Sequence, residues 1–320
     1  MGTIEEAAKR LEQLRRAGVV SPAVEAQAAP AMAAPQAELP QPDEHASGDI
    51  IIRLPTLEPE PEHTPAPDEW ADAGQNGERR SRAVNVDLLG MQRRSLLVPG
   101  APRSQLEEEF RLIKRPLLEN IRSVAAIRPK RANLIMITSA VPGEGKTQSA
   151  INLAVSMAME MDRTVLLVEA DVLRPSLLER MGISAPKGLM DLLAGEVEDL
   201  SDVLLRTNIP KLSVLPAGGA RSSATEMLAS SAMENLLDDL AGRYSDRVII
   251  FDTPPLLSTT ESRVLATHMG QVVMVVEAYA TPLSVIKQAY AAVETHPVVL
   301  SVLNKYSGPR SGEGYGYYAP

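Results

Sequence analysis

Ser139-Ala140-Val141-Pro142-Gly143-Glu144-Gly145-Lys146-Thr147 stands between a buried-looking apolar run, Asn133–Thr138, and a helix-spaced stretch, Thr147–Met161. A glycine-rich turn that leaves a strand and opens a helix can gather backbone N–H groups around a phosphate. Gly143 and Gly145 let the chain approach the ligand closely, and the start of the helix adds its positive dipole end. Lys146 is placed to reach the β- and γ-phosphates, and the Thr147 hydroxyl to bind Mg²⁺. Pro142, Glu144 and Gln148 complete the set of loop residues expected around a nucleotide. The position that is usually the first glycine of this pattern holds Ala140.

Outward from the loop, short apolar runs alternate with helical ones. Strands are predicted at Asn133–Thr138, Thr164–Val168, Leu212–Leu215, Val248–Phe251, Gln271–Val276 and Val298–Leu303. Helices are predicted at Thr147–Met161, Ala232–Tyr244 and Thr281–Glu294. Such alternation predicts an α/β fold of the P-loop NTPase kind, with a mostly parallel sheet covered by helices on both faces. A further helix is expected over 104–125. Ser104 can cap it with Glu107 three residues on, and Leu106, Phe110, Ile113, Leu117 and Ile121 recur at helical spacing. Pro116 inside it should kink it or end its first part.

Before residue 83 the composition changes. Residues 19–82 are rich in Pro, Ala, Glu and Gln and predict a disordered linker. Residues 3–17 predict a short amphipathic helix, opened by Thr3 and Glu6 and stopped by Gly18, so that 1–18 reads either as a frayed helix on a tail or as a docking element for a partner or membrane surface. The folded domain is expected at 83–306, followed by a Gly-rich tail, 307–320, that holds Tyr315, Tyr317 and Tyr318.

Composition narrows the function. A net charge of −9 argues against nucleic acid as the main partner. The absence of cysteine excludes a disulfide-stapled domain and a Cys-based zinc site. Met1-Gly2-Thr3-Ile4-Glu5-Glu6 does not read as a signal peptide, and the sequence has no run of 18 apolar residues, the length needed to span a bilayer. The expectation is a cytoplasmic chain, with membrane contact only through a partner.

Two acidic sites accompany the loop. Asp252 ends an apolar strand and precedes Thr253-Pro254-Pro255, where a carboxylate faces the ligand crevice and can hold Mg²⁺; an Asp capping a turn is the plain alternative. Glu169 and Asp171 follow another strand and alternate with Ala170, so both are expected to point the same way. Two acids beside a triphosphate imply a metal between them.

Together, Val141–Thr147, the acidic stretch Glu169-Ala170-Asp171-Val172-Leu173-Arg174-Pro175 and Phe251-Asp252-Thr253-Pro254-Pro255 resemble the three Walker-type motifs of the bacterial tyrosine kinases of exopolysaccharide synthesis. The likeness extends to Gly188–Gly195, Leu215–Gly218 and Thr225–Leu228, and covers about 104–306. The N-terminal helix, the linker and Glu109–Leu118 look like the exosortase-associated branch of that family, in which a separate membrane chain-length-determinant protein is the activator. The resemblance implies ATP and Mg²⁺ as cofactors. It also implies an autokinase that transfers the γ-phosphate to its own tail tyrosines, Tyr315, Tyr317 and Tyr318, and regulates exopolysaccharide synthesis and export. Lys146, Glu169, Asp171, Arg174 and Asp252 would be catalytic, with Thr147, Asp171 and Asp252 at the metal. Asn304 would read the adenine edge. Glu108, Arg111 and Lys114 would form a homo-oligomer interface, a ring being one arrangement. Glu169 stands where the family has Asp, which implies a slower base or an exchange of duties with Asp171. A switch ATPase of the MinD/ParA kind is the main alternative, but its signature lysine early in the loop is missing from Ser139–Pro142. A nucleotide-binding scaffold with weak catalysis is the other.

Overall fold

The computed structural model describes residues 81–124, 128–243 and 246–308. The expected N-terminal helix, nearly all of the linker and the three tail tyrosines lie outside these residues.

Eight strands form one sheet among the described residues: β1 (Arg82–Val84), β2 (Leu134–Ser139), β3 (Thr164–Glu169), β4 (Leu205–Thr207), β5 (Leu212–Leu215), β6 (Arg247–Asp252), β7 (Gln271–Glu277) and β8 (Val299–Asn304). Their order is β1-β4-β5-β3-β6-β2-β7-β8. All neighbours run parallel except β4 and β5, which are antiparallel.

The apolar runs are continuous because both faces are covered. Ile135 and Ile137 of β2, with Val165 and Leu167 of β3, face one core. That core is closed by α1 (Leu88–Arg93), α2 (Gln105–Arg122) and α3 (Lys146–Ala158). Leu134, Met136, Leu166, Val168 and Phe251 face the other. Residues of α5 (Leu189–Leu193), α6 (Ala224–Leu228), α7 (Ser231–Arg243), α8 (Thr260–His268) and α9 (Leu283–Ala291) close it. A five-residue helix, α4 (Leu177–Met181), follows β3.

Of the two outcomes expected at Pro116, a kink or an end, the end does not occur, and the placing of Lys114 needs correction. The helix runs through Pro116 without ending. Proline has no N–H to donate to the carbonyl four residues back, that of Leu112, and since Leu112 is exposed, water can donate to that carbonyl instead. Lys114 does not lie on an outer face with Glu108 and Arg111. It is 7% exposed, on the same stripe as Phe110, Leu117 and Ile121. Its ammonium donates to the Ser156 carbonyl at 2.7 Å and pairs with Glu160 at 2.7 Å, fastening α2 to the end of α3. Lys114→Ala should therefore lower stability. Charge-assisted hydrogen bonds contribute about 1.5–3 kcal/mol, and Glu160, 31% exposed at its side chain, can regain water. A loss of about 1–2 kcal/mol in urea unfolding is expected.

Candidate active site

The phosphate loop sits at the C-terminal end of β2, with β6 on one side and β7 on the other. Gly145 caps α3 at φ 97° and provides no side-chain bond to the helix, so the first-turn N–H groups stay available to an anion. A Cβ at Gly145 would come within 2.1 Å of the Asn304 amide nitrogen. Ala140 is buried and has no positive φ, which explains why the usual glycine is dispensable there.

The loop is braced from behind by Glu144, 1% exposed. Its carboxylate accepts from Val141 N at 2.8 Å, Glu277 N at 3.2 Å and the Thr281 hydroxyl at 2.5 Å. Glu144 is thus a support for the loop, and its side chain faces β7 rather than the crevice. Asn304 donates its side-chain N–H to the Glu144 carbonyl at 2.8 Å. Lys305 donates to the Gly143 carbonyl and to Glu277, both at 2.8 Å. The end of β8 therefore holds the loop's shape, a role for Asn304 and Lys305 that no sequence motif announced.

A cavity of about 600 Å³ opens in front of the loop, large enough for a nucleotide. Pro142, Gly143, Gly145, Lys146, Thr147 and Gln148 line it from the loop side. Asp171 and Arg174 line it from the segment after β3. Lys146 Nζ lies 2.7 Å from Asp171 Oδ2, and Asp171 Oδ1 accepts from Arg174 N at 3.2 Å.

Asp252 is 1% exposed, at the end of β6. Neither of its carboxylate oxygens has a complete hydrogen bond among the described residues. Burial pushes its pKa up to about 7, against the opposing pull of Lys146 and the Thr147 hydroxyl. A buried carboxylate left without partners is costly in isolation and suits a cation. Among the described residues no three acidic, His or Cys side chains group closely enough to hold a metal by themselves. Mg²⁺ fits this site as it fits other phosphate sites, with one or two protein oxygens and the rest from phosphate and water. Asp252 and Thr147 are the residues on hand.

Glu169 and Asp171 do not share the cavity. Glu169 lines a separate cleft and is 2% exposed. It accepts from Leu177 N at 2.6 Å and Ala217 N at 3.4 Å, and burial raises its pKa. Its longer side chain reaches the start of α4, so it anchors that helix and leaves Asp171 as the acid beside Lys146. The stretches Gly188–Gly195 and Leu215–Gly218 meet each other: Leu189 N donates to the Pro216 carbonyl and Met190 N to that of Ala217. Asp191 locks the junction by accepting from Gly188 N, Gly219 N and Arg221. A Cβ at Gly188 would lie 2.2 Å from Pro216 O, so only glycine permits this approach. On α2, Arg111 pairs with Glu107 and Glu108 of its own helix at 3.0 and 2.8 Å.

Residues 132–296 match the family model of an AAA domain. The chain is 29% identical over 227 residues to tyrosine-protein kinase YwqD of Bacillus subtilis, covering 70% of this chain and 91% of that one. It is 32% identical over 207 residues to the succinoglycan biosynthesis transport protein ExoP of Rhizobium meliloti, covering 64% of this chain and 25% of ExoP. Among solved structures, the VpsO kinase domain superposes with a TM-score of 0.53 at 31% identity, covering 62% of this chain and 96% of that domain. The chain spans about a quarter of the length of the first curated relatives it matches, between 22% and 28%.

Proposed function

Because this chain belongs to the AAA-domain family and to the bacterial tyrosine-protein kinases, we propose that it transfers the γ-phosphate of ATP to tyrosines of its own tail, and thereby regulates exopolysaccharide synthesis and export. The observation that carries this reading is the uncapped, glycine-built start of α3, with Lys146 and the buried carboxylate of Asp252 beside it.

The loop N–H groups and Lys146 hold the triphosphate, and Lys146 leaves Asp171 to do so. The carboxylate released in this way takes the proton of the incoming tyrosine hydroxyl. The tyrosine oxygen bonds to the γ-phosphorus as the bond to ADP breaks. Lys146 and the loop amides stabilise the charge that spreads over the transferring group. Arg174 sits where it can pair with phosphate or with a neighbouring copy. Thr147 and Asp252, with Asp171 nearby, would hold Mg²⁺, which would neutralise charge on the phosphate oxygens. Tyr315, Tyr317 and Tyr318 stand among Gly312, Gly314 and Gly316, the composition expected of an acceptor segment.

The partners are a second copy of the chain and a membrane-bound activator engaged by residues 1–18, which would place the kinase at the inner membrane. Glu108 and Arg111, 52% and 40% exposed at their side chains, are the residues α2 can offer a neighbour. Each phosphotyrosine adds about −1.5 to −2 charge, which repels a modified tail from a crevice that already holds Asp171, Asp252 and nucleotide.

The test is incubation of the purified chain with Mg·ATP, followed by phosphotyrosine detection. ATP hydrolysis without protein phosphorylation would point to a switch ATPase. Binding with neither activity would leave only a nucleotide-dependent scaffold.

A further inference from the structure

The cations around the loop cavity differ in what neutralises them. Lys146 is paired with Asp171 and Lys305 with Glu277. Arg180 also lines the cavity, from α4, and among the described residues its guanidinium has no ion pair. Its Nε is buried and, among the described residues, has no hydrogen-bond partner. Arg180 is half-buried, and a guanidinium that borders a cavity with a buried donor left unmet is an unfavourable element of an empty site and a strong one for an anion.

The backbone beneath this side chain is firmly held. Arg94 Nη1 donates to the Arg180 carbonyl at 3.4 Å, and Asp87 N donates to Met181 O at 3.2 Å. Glu169 anchors the other end of α4 through Leu177 N. The segment that carries Asp87 and Arg94 is tied in turn to the phosphate helix. Leu97 N donates to Asn152 Oδ1 at 2.8 Å, and Gln148 Nε2 to Ser95 O at 3.3 Å. Arg180 therefore rides on a frame fixed to the first turns of α3, the same turns that would meet phosphate. Among the described residues Arg174 also has no ion pair, but it is an exposed residue, where water screens its charge.

We propose that Arg180 is a phosphate-binding residue of this site, its guanidinium taking an oxygen of the bound polyphosphate from the α4 wall. This deepens the reading of the site as a nucleotide site and rests on it. Glu169 then acquires an indirect part: by anchoring α4 it positions Arg180, which accounts for a buried acid at the place where the resemblance implies a base.

The experiment is calorimetric titration of the full chain with Mg·ATP and, separately, with inorganic tripolyphosphate and Mg²⁺. Wild type, Arg180→Ala and Arg180→Gln are compared, with melting of each ligand-free protein. Both variants should lose affinity for both ligands by a similar factor, about tenfold or more, while ligand-free melting stays near that of wild type. Arg180→Lys should recover part of the loss, since it restores the charge without the fork. Wild-type affinity in Arg180→Ala overturns the proposal. So does a loss for ATP without a loss for tripolyphosphate, which would place Arg180 on the nucleoside. If Arg180→Ala does not fold, Arg180→Gln, which keeps most of the side chain's length, decides on the same terms. A wild type that binds neither ligand overturns the nucleotide site itself, and this proposal with it.

Discussion

Lys146→Met should abolish autophosphorylation while the domain stays folded. Lys146 lies at the first position of α3, its ammonium aimed into the cavity at Asp171 and away from either apolar core. Its loss removes a cation positioned for the charge that develops on the transferred phosphoryl group. Deleting one such preorganised donor costs on the order of 10²–10³ in turnover, so phosphotyrosine should fall by at least that factor. Asp171 would lose its ion pair, but it keeps the bond from Arg174 N and borders an open cavity that water can enter. The melting temperature should accordingly move little. Phosphotyrosine at the wild-type level in a folded Lys146→Met protein would remove the loop from the mechanism.

Asp252→Asn should separate function from stability. For function, the change removes the charge that would hold Mg²⁺ against the phosphates. Such Lewis-acid stabilisation amounts to several kcal/mol, so phosphotransfer should drop at least about a hundredfold. For stability the sign is opposite. Asp252 has a folded pKa of about 7, above the usual carboxylate value of 3.8. Between those values the folded protein carries a proton that the unfolded chain has lost, so the stability of the ligand-free protein falls as pH rises from about 4 to about 7, then levels off. Three units correspond to on the order of 4 kcal/mol. Asparagine abolishes this titration, so ligand-free Asp252→Asn should be the more stable protein at pH 8, with a flatter dependence between pH 5 and 7. Denaturant titrations across that range measure it. A variant less stable than wild type at pH 8 would mean that Asp252 is satisfied in the fold and not held in reserve for a cation.

Much of the fold was legible because its central strands are buried on both faces and so appear as unbroken apolar runs. Six of them, β2, β3, β5, β6, β7 and β8, fall within one residue of the predicted bounds. What escaped was short or edge-like. Strands β1 and β4 have three residues each, too few for a period, and α4, α5 and α6 have five, barely more than one helical turn. The helix α8, nine residues long, and the six-residue α1 also went unread.

The site divides in the same way. Lys146, Thr147, Asp171, Arg174 and Asp252 stand at the ends of legible elements. The fold brings four of them to the cavity wall and buries Asp252 beside Lys146 and Thr147. Glu144 and Asn304 carry no local sign that they join the loop to β7 and β8, because Glu277, Thr281 and Asn304 all lie more than a hundred residues from Glu144. The inward turn of Glu169 depends on α4, which was not foreseen. Lys114 was readable in principle: it sits four residues after Phe110 and three before Leu117, on the apolar stripe, and a lysine there must find a buried partner.

The central claim is autophosphorylation of the tail, and site mapping by mass spectrometry after incubation of the purified chain with Mg·ATP tests it most directly. Phosphate is expected on Tyr315, Tyr317 and Tyr318 in the wild type and on none of them in Lys146→Met. ATP turnover in the wild type with those three tyrosines unmodified would contradict it.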